Sequence, residues 1–330
     1  MTVLVTGGGG FLGGAIVRAL LDRGDEVVSL ARGDYPKLRE LGVRTVRGDL
    51  ADPGVVLQAA QGCDAVLHVA AKAGIWGPAA DYQRSNVEGT RLVLAACRKL
   101  GIRRLVHTST PSVVHTGADI CGGDESLPYA TQFQSDYPRT KALAEQIVLD
   151  AADNALATVA LRPHLVWGPG DTQLVPRILD RARHGRLRFV NGGRQVIDTT
   201  YVEDAAHAHL CALDALVPGA ACSGRAYFIS SGDPRPIRTV VNAILAADGL
   251  PPETRSVPLG LALAAGAAAE RAWLLLHRQD EPPMTRFLAR QLATTHWFDI
   301  GAARRDLAFQ PQIGLDEGFR RLASALQEAA

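Results

Sequence analysis

Tyr137 and Lys141 stand four residues apart in the run Ser135-Asp-Tyr-Pro-Arg-Thr-Lys141. On a helix that spacing puts both side chains on one face, a turn apart. Pro138 just inside the helix start, with Ser135 or Asp136 as cap, favours a helix beginning there. A tyrosine hydroxyl ordinarily titrates near pH ~10, too high for easy proton exchange at neutral pH. A nearby cation such as the lysine ammonium favours the phenolate and brings the group toward the working range. Such a pair can pass a proton to or from a substrate oxygen. The same spacing occurs on ordinary exposed helices, so its surroundings matter. Thr108-Ser109-Thr110 lies upstream as a cluster of hydroxyls. One of them can polarise a substrate carbonyl, while the others would do no more than cap a strand end.

The start of the chain has the pattern of a dinucleotide-binding loop. Val3, Leu4 and Val5 suit a buried parallel strand. Gly7, Gly10 and Gly13 follow with the spacing GxxGxxG, and a helical pattern runs from Phe11 through Leu12 to Arg23. Glycines permit a tight turn and a close approach to a pyrophosphate. The new helix directs free N–H groups and its positive end at that phosphate. The second strand runs out at Leu30-Ala-Arg-Gly33. An acid normally binds the ribose of NAD at that point. Ala31 stands there instead, followed by Arg32, whose guanidinium suits the 2′-phosphate of NADP(H). Asp34 falls too late to serve the ribose. Asp49, after the third strand, is a candidate for the adenine edge together with the N–H of Leu50; the alternative is an ordinary loop aspartate.

These groups need a frame, and the order of elements supplies it. Strand patterns at 26–30, 43–47, 65–69 and 104–108 alternate with helical patterns at 53–61 and 82–100. The helix from Pro138 to Asp153 and a strand at 157–162 follow. This alternation predicts an α/β fold, a Rossmann-like doubly wound parallel sheet that binds its ligand at the carboxyl ends of the strands. From Pro163 the regularity breaks down into short, mostly helical pieces. Residues 1–165 are expected to form the NADP-binding domain, with segments near 200–232 returning to it. Residues 166–330 are expected to form a smaller, mostly helical substrate lobe.

Composition narrows the class. The 330 residues are 47% hydrophobic and 21% charged, with a net charge of +1. That describes a globular chain without the basic field nucleic acid requires. Cys63, Cys97, Cys121, Cys211 and Cys222 form no CxxC pair. They read as reduced thiols of a cytoplasmic protein, and no metal site is expected. With the first strand expected from Thr2, no signal peptide is expected. The stretch 257–276 is the most apolar, but Glu270 and Arg271 interrupt it. It is expected to form a helix, or two short ones, over the cleft, with an inner face toward an alkyl chain and an outer patch toward a membrane or partner enzyme. The alternative is a plain core helix. The oligomeric state, a homodimer included, is left open.

Gly7/Gly10/Gly13, Asp49-Leu50, Ala70-Ala71, Asn86 in Asn-Val-Glu-Gly-Thr90, Thr108-Ser-Thr110 and Tyr137-Pro-Arg-Thr-Lys141 together resemble the extended short-chain dehydrogenase/reductases. Leu161-Arg-Pro163, Trp167-Gly-Pro169 and Tyr201-Val-Glu-Asp204 extend the likeness over nearly the whole chain. Within that superfamily it resembles the 3β-hydroxysteroid dehydrogenase branch. Ala71-Lys-Ala-Gly-Ile-Trp-Gly77, Thr108-Ser-Thr-Pro-Ser-Val113, Trp167-Gly-Pro-Gly-Asp171 and Glu281-Pro-Pro-Met-Thr-Arg-Phe287 look like the bacterial reductases of long-chain 2-alkyl-3-oxo acids in olefin biosynthesis. The resemblance makes Tyr137 the proton donor, Lys141 its electrostatic and ribose partner, and Thr110 the catalytic hydroxyl, with Ser109 the fallback. It implies that Asn86 supports the elements framing the nicotinamide and that Pro163 and Val166 lie beside the ring. It implies NADPH-dependent reduction of a hydrophobic ketone to the alcohol. A sterol dehydrogenase is the second reading; an NADP-binding sensor without chemistry and a nucleotide-sugar epimerase are further ones.

Overall fold

Val3, Leu4 and Val5 are fully excluded from solvent, as a run apolar on both faces must be at the centre of a parallel sheet. They belong to β1 (Thr2–Thr6) in a computed structural model that describes residues 1–278 and 280–328. Six parallel strands join it: β2 (Glu26–Ala31), β3 (Arg44–Arg47), β4 (Ala65–His68), β5 (Arg104–Thr108), β6 (Ala157–Pro163) and β7 (Arg225–Ile229). Their order across the sheet is β7-β6-β5-β4-β1-β2-β3. The winding therefore reverses between β1 and β4, whose carboxyl ends part to leave a crevice.

Alternation along the strands builds a core on each face. Val3 and Val5 point into one core with Ala15, Ile16, Val17 and Leu20 of α1 (Phe11–Asp22) and with Val202, Ala206 and Leu213 of α5 (Val202–Ala215). Leu4 points into the other. There it meets Val56, Ala59 and Ala60 of α2 (Pro53–Ala60), Val93 and Cys97 of α3 (Gly89–Leu100) and Val148 of α4 (Asp136–Asp150). The single helix expected over 82–100 is divided. A short helix, Ala79–Tyr82, runs into a π-helical turn, Gln83–Glu88, before α3 begins. α4 starts two residues before Pro138, whose missing N–H is harmless in a first turn. Ser135 occupies its N-cap position without a side-chain cap bond.

Beyond β6 a third core gathers around Trp167, Leu179, Ile244 and Leu322. A small four-stranded sheet combines Ile120–Gly123 from the first half of the chain with Val196–Ile197, Arg235–Pro236 and His296–Phe298 from the second. The apolar stretch forms α6 (Leu259–Leu275), of which only Ala262 and Gly266 are buried. It is therefore not a core helix. Gly266 lets α7 (Arg286–Gln291) close in, since a Cβ there would lie 2.8 Å from the Arg286 nitrogen. On the other side Leu261 (58%), Leu274 (65%) and Leu275 (80%) are exposed. Among the described residues no helix is long and apolar enough to cross a membrane.

Candidate active site

The glycine loop is shaped by contacts that a side chain would block. Gly7 has φ +73°, and a Cβ on it would stand 3.0 Å from the Cα of Ala70. A Cβ on Gly13 would lie 2.1 Å from the Gly7 carbonyl oxygen. The loop is tied back by Gly7 N–H to Leu30 O (2.7 Å) and Gly10 N–H to Gly7 O (2.9 Å). α1 therefore opens directly at the loop, with Gly10 as N-cap and no side chain bonded over its end. Its first N–H groups, at Phe11 and Leu12, are the donors a pyrophosphate needs. Thr6 secures the far wall: its Oγ1 accepts from Val69 N and Ala70 N, each at 3.1 Å. Ala71 comes next on that wall. This cradle fits a dinucleotide.

The groups around the adenosine end divide. Arg32 is exposed. Asp34 is taken by Arg39, which holds its carboxyl below the usual carboxylate range. Asp49 is also engaged: one oxygen accepts from Ala51 N at 2.9 Å and the other from Arg84 at 3.0 Å. Leu50 packs against Gly89 at the start of α3.

Tyr137, Lys141 and the hydroxyl triplet meet at the carboxyl end of β5. Thr110 caps a short 3₁₀ turn, Pro111–Val113, through Ser112 N (3.3 Å), and its Oγ1 also meets Ser112 Oγ at 3.1 Å. Tyr137 is half-buried, and burial holds its phenol above the ordinary value. Thr110 pulls it the other way, toward phenolate. The downward shift expected from Lys141 is absent because the ammonium is turned away. Its Nζ donates to the Thr108 carbonyl at 2.5 Å and meets His107 Nε2 at 3.2 Å. Burial brings Lys141 down to about 8, with Glu145 opposing. Thr108 Oγ1 is directed rearward, 2.7 Å from His209 Nε2. Ser109 donates its N–H to Leu161 O at 2.6 Å, and its buried hydroxyl has no partner among the described residues.

Asn86 joins the loop after β4 to α4. Its Oδ1 accepts from Lys72 N at 2.7 Å, while its Nδ2 donates to Thr140 Oγ1 at 3.0 Å. Pro163 is the last residue of β6, and Val166 begins a short pairing with Thr200. The stretches 71–77 and 281–287 meet. Ile75 N–H donates to Glu281 at 3.0 Å, and Arg177 holds the other carboxylate oxygen at 2.6 Å. What the motif reading missed is the layer behind Lys141: His68, His107 and His209 are all essentially buried. A histidine inside the apolar runs 65–69 and 104–108 was the available signal.

Residues 4–259 match the model of the 3-beta hydroxysteroid dehydrogenase/isomerase family. The chain belongs to this family. It is 54% identical to the 2-alkyl-3-oxoalkanoate reductase of Stenotrophomonas maltophilia, over 98% of this chain and 99% of that protein. It is 49% identical to the 2-alkyl-3-oxoalkanoate reductase of Shewanella oneidensis, over 98% of this chain and 85% of that protein. Among solved structures, the Thermus thermophilus UDP-glucose 4-epimerase complex with NAD superposes with a TM-score of 0.76 at 26% identity, covering all of both chains. This member of the 3-beta hydroxysteroid dehydrogenase/isomerase family is an oxidoreductase of the extended short-chain type, with a Rossmann fold for a nicotinamide dinucleotide.

Proposed function

We propose that this chain is an NADPH-dependent reductase that converts a 2-alkyl-3-oxoalkanoate into the 2-alkyl-3-hydroxyalkanoate, a step in bacterial olefin biosynthesis. The observation that carries the reading is the placing of Tyr137 next to Thr110, with Lys141 one turn further along α4. Full-length similarity to two reductases of that substrate supports the substrate class. Residues 1–165 hold the cofactor on this reading, and 166–330 form the substrate lobe, with the stretch 200–232 returning to the first part. Gly7, Gly10, Phe11, Leu12 and Gly13 take the pyrophosphate and Arg32 the 2′-phosphate. Asp49 and Leu50 border the adenine. Ala70, Ala71, Asn86, Thr108, Ser109, Pro163 and Val166 frame the nicotinamide half.

The bound nicotinamide supplies a hydride to the ketone carbon. Tyr137 gives its phenolic proton to the carbonyl oxygen, so the ketone gains one hydride and one proton and leaves as the secondary alcohol. The burial that keeps Tyr137 protonated at neutral pH puts it in the state a donor must have. Thr110 hydrogen-bonds the oxygen as negative charge develops on it. Lys141 holds the ribose, and Thr110, which draws Tyr137 toward phenolate, favours the anion left after transfer.

The exposed leucines of α6 support a peripheral contact with an anionic lipid surface. Arg271 and His277 lie beside them and are exposed too, and a long-chain ketone is itself concentrated at such a surface.

The test is anaerobic incubation with NADPH or NADH and three ketones: a 2-alkyl-3-oxo acid, a 3-ketosteroid and a nucleotide sugar. Loss of absorbance with NADPH and the 2-alkyl-3-oxo acid is expected. Tyr137→Phe should lower that turnover at least ~10²-fold, the scale of acid–base catalysis, with NADPH affinity little changed. Preference for the steroid would replace the substrate reading, and turnover surviving in Tyr137→Phe would remove the tyrosine from its role.

A further inference from the structure

Behind the proposed site lies a closed set of hydrogen bonds whose proton positions can be deduced. His209 Nδ1 is 2.7 Å from the Ala205 carbonyl, which can only accept, so Nδ1 carries the proton and Nε2 accepts from Thr108 Oγ1. Thr90 donates its hydroxyl proton to Asn86 O at 2.6 Å. Its oxygen therefore accepts from His68 Nε2 at 2.9 Å, and His68 Nδ1 accepts from Thr6 Oγ1 at 2.8 Å. Both imidazoles are neutral, each with one proton assigned.

His107 is left with one arrangement. An ammonium has donors only. Lys141 spends one N–H on Thr108 O and directs a second at His107 Nε2, 3.2 Å away. Nε2 must then accept, and the ring proton sits on Nδ1, which has no partner among the described residues. A buried N–H without a partner is unfavourable, so the arrangement is held in place by what Nε2 does. The other charged and titratable groups near this ammonium are few. On α4 they are Tyr137 and Glu145, and Glu145 is shared with Arg162 of β6 (2.6 Å) and with Tyr129 (2.7 Å). His68 of β4 lies behind His107, ring centroids 5.2 Å apart, and His209 of α5 is held by Thr108. No carboxylate bonds Lys141 directly among the described residues.

We infer that His107 is a positioning residue for Lys141: its neutral ring accepts through Nε2 and anchors the ammonium at the base of the site. The inference rests on the role proposed for Lys141. The Thr108 carbonyl and His107 together substitute for the missing counter-ion, and an acceptor on the charged form keeps the proton on the amine to higher pH. Burial acts the other way and has brought Lys141 to about 8. With both acceptors in place the third N–H is uncommitted among the described residues.

The chain has only four lysines, Lys37, Lys72, Lys99 and Lys141, so lysine labelled with ¹³C at Cε gives four resolvable titrations. Lys141→Met identifies the fourth signal. In His107→Phe, which keeps a ring and removes the acceptor, the Lys141 midpoint is expected to fall by about one pH unit. The turnover number should fall about tenfold, with a smaller change in the KM for NADPH, and His107→Gln should restore at least half of both losses. An unchanged midpoint in folded His107→Phe overturns the inference. Should that variant fail to fold, ¹⁵N spectra of the wild-type histidines decide: neutral His107 protonated at Nδ1 is required, and protonation at Nε2 overturns it. Turnover surviving in Lys141→Met would remove the proposed role of the lysine while leaving the titration result standing, so the two failures are separable.

Discussion

Arg32 presents the choice of cofactor in one side chain. It follows Ala31 at the end of β2, is exposed, and makes no side-chain hydrogen bond or ion pair among the described residues. The nearby acid, Asp34, is bound by Arg39 and so is withdrawn from ribose binding. A guanidinium at this point offers paired, charge-assisted donors to a 2′-phosphate, a partner that NADH lacks. Arg32→Ala should therefore weaken NADPH binding by about 1–3 kcal/mol, the range for hydrogen bonds to a charged group, and leave NADH nearly unaffected. Calorimetric titration with each dinucleotide measures both. Equal losses would mean that Arg32 does not touch the 2′-phosphate.

At the scale of elements, α6 is the one whose chemistry and position disagree with a solvated surface. Leu261, Ala264, Ala265, Ala268 and Leu275 recur at helical spacing and are exposed. The opposite side is committed elsewhere, with Glu270 bonded to the backbone and guanidinium of Arg286. Burying one leucine in an apolar medium is favourable by about 1.5–3 kcal/mol. Two substitutions on the outer stripe should therefore abolish a weak lipid contact without disturbing the fold. The wild-type chain is expected to float with anionic phospholipid vesicles and Leu261→Asp/Leu275→Asp to remain below. Reduction of a short, water-soluble ketone should be the same in both. Flotation unaffected by the double substitution would remove this face from membrane contact.

At the scale of the molecule, the buried histidines impose a pH dependence on stability. Burial lowers His68 to about 3 and His209 to about 4, against an ordinary value of 6.5. Both are depressed bases, so the unfolded chain takes up their protons first. Stability present above pH ~6.5 is lost as the pH falls below it, by about 1.4 kcal/mol per pH unit for each group until its folded value is reached. The melting temperature should drop steeply between pH 6.5 and 4. His209→Gln, less stable at neutral pH, should show a shallower slope over that interval. A slope equal to that of the wild type would exclude His209 as a source of the acid sensitivity.

The features legible in the sequence are those whose physical cause is local. The glycine loop with its strand and helix is one continuous stretch from Thr2 to Asp22, and the Tyr137–Lys141 pair is one turn of a helix. The doubly wound sheet follows from the alternation of apolar runs with amphipathic ones, which are themselves local patterns. Contacts between residues distant in the chain left no such trace. His107 meets Lys141 across 34 residues, Asn86 meets Thr140 across 54, Thr108 meets His209 across 101 and Ile75 meets Glu281 across 206. A helical run also does not state which of its faces will find a partner, so the exposure of α6 depended on where α7 packed. The direction of the Lys141 ammonium was likewise a tertiary matter. Spacing placed it near Tyr137, but the buried acceptors of β5 turned it away, because an ammonium removed from water goes where oxygen and nitrogen lone pairs are fixed to receive it.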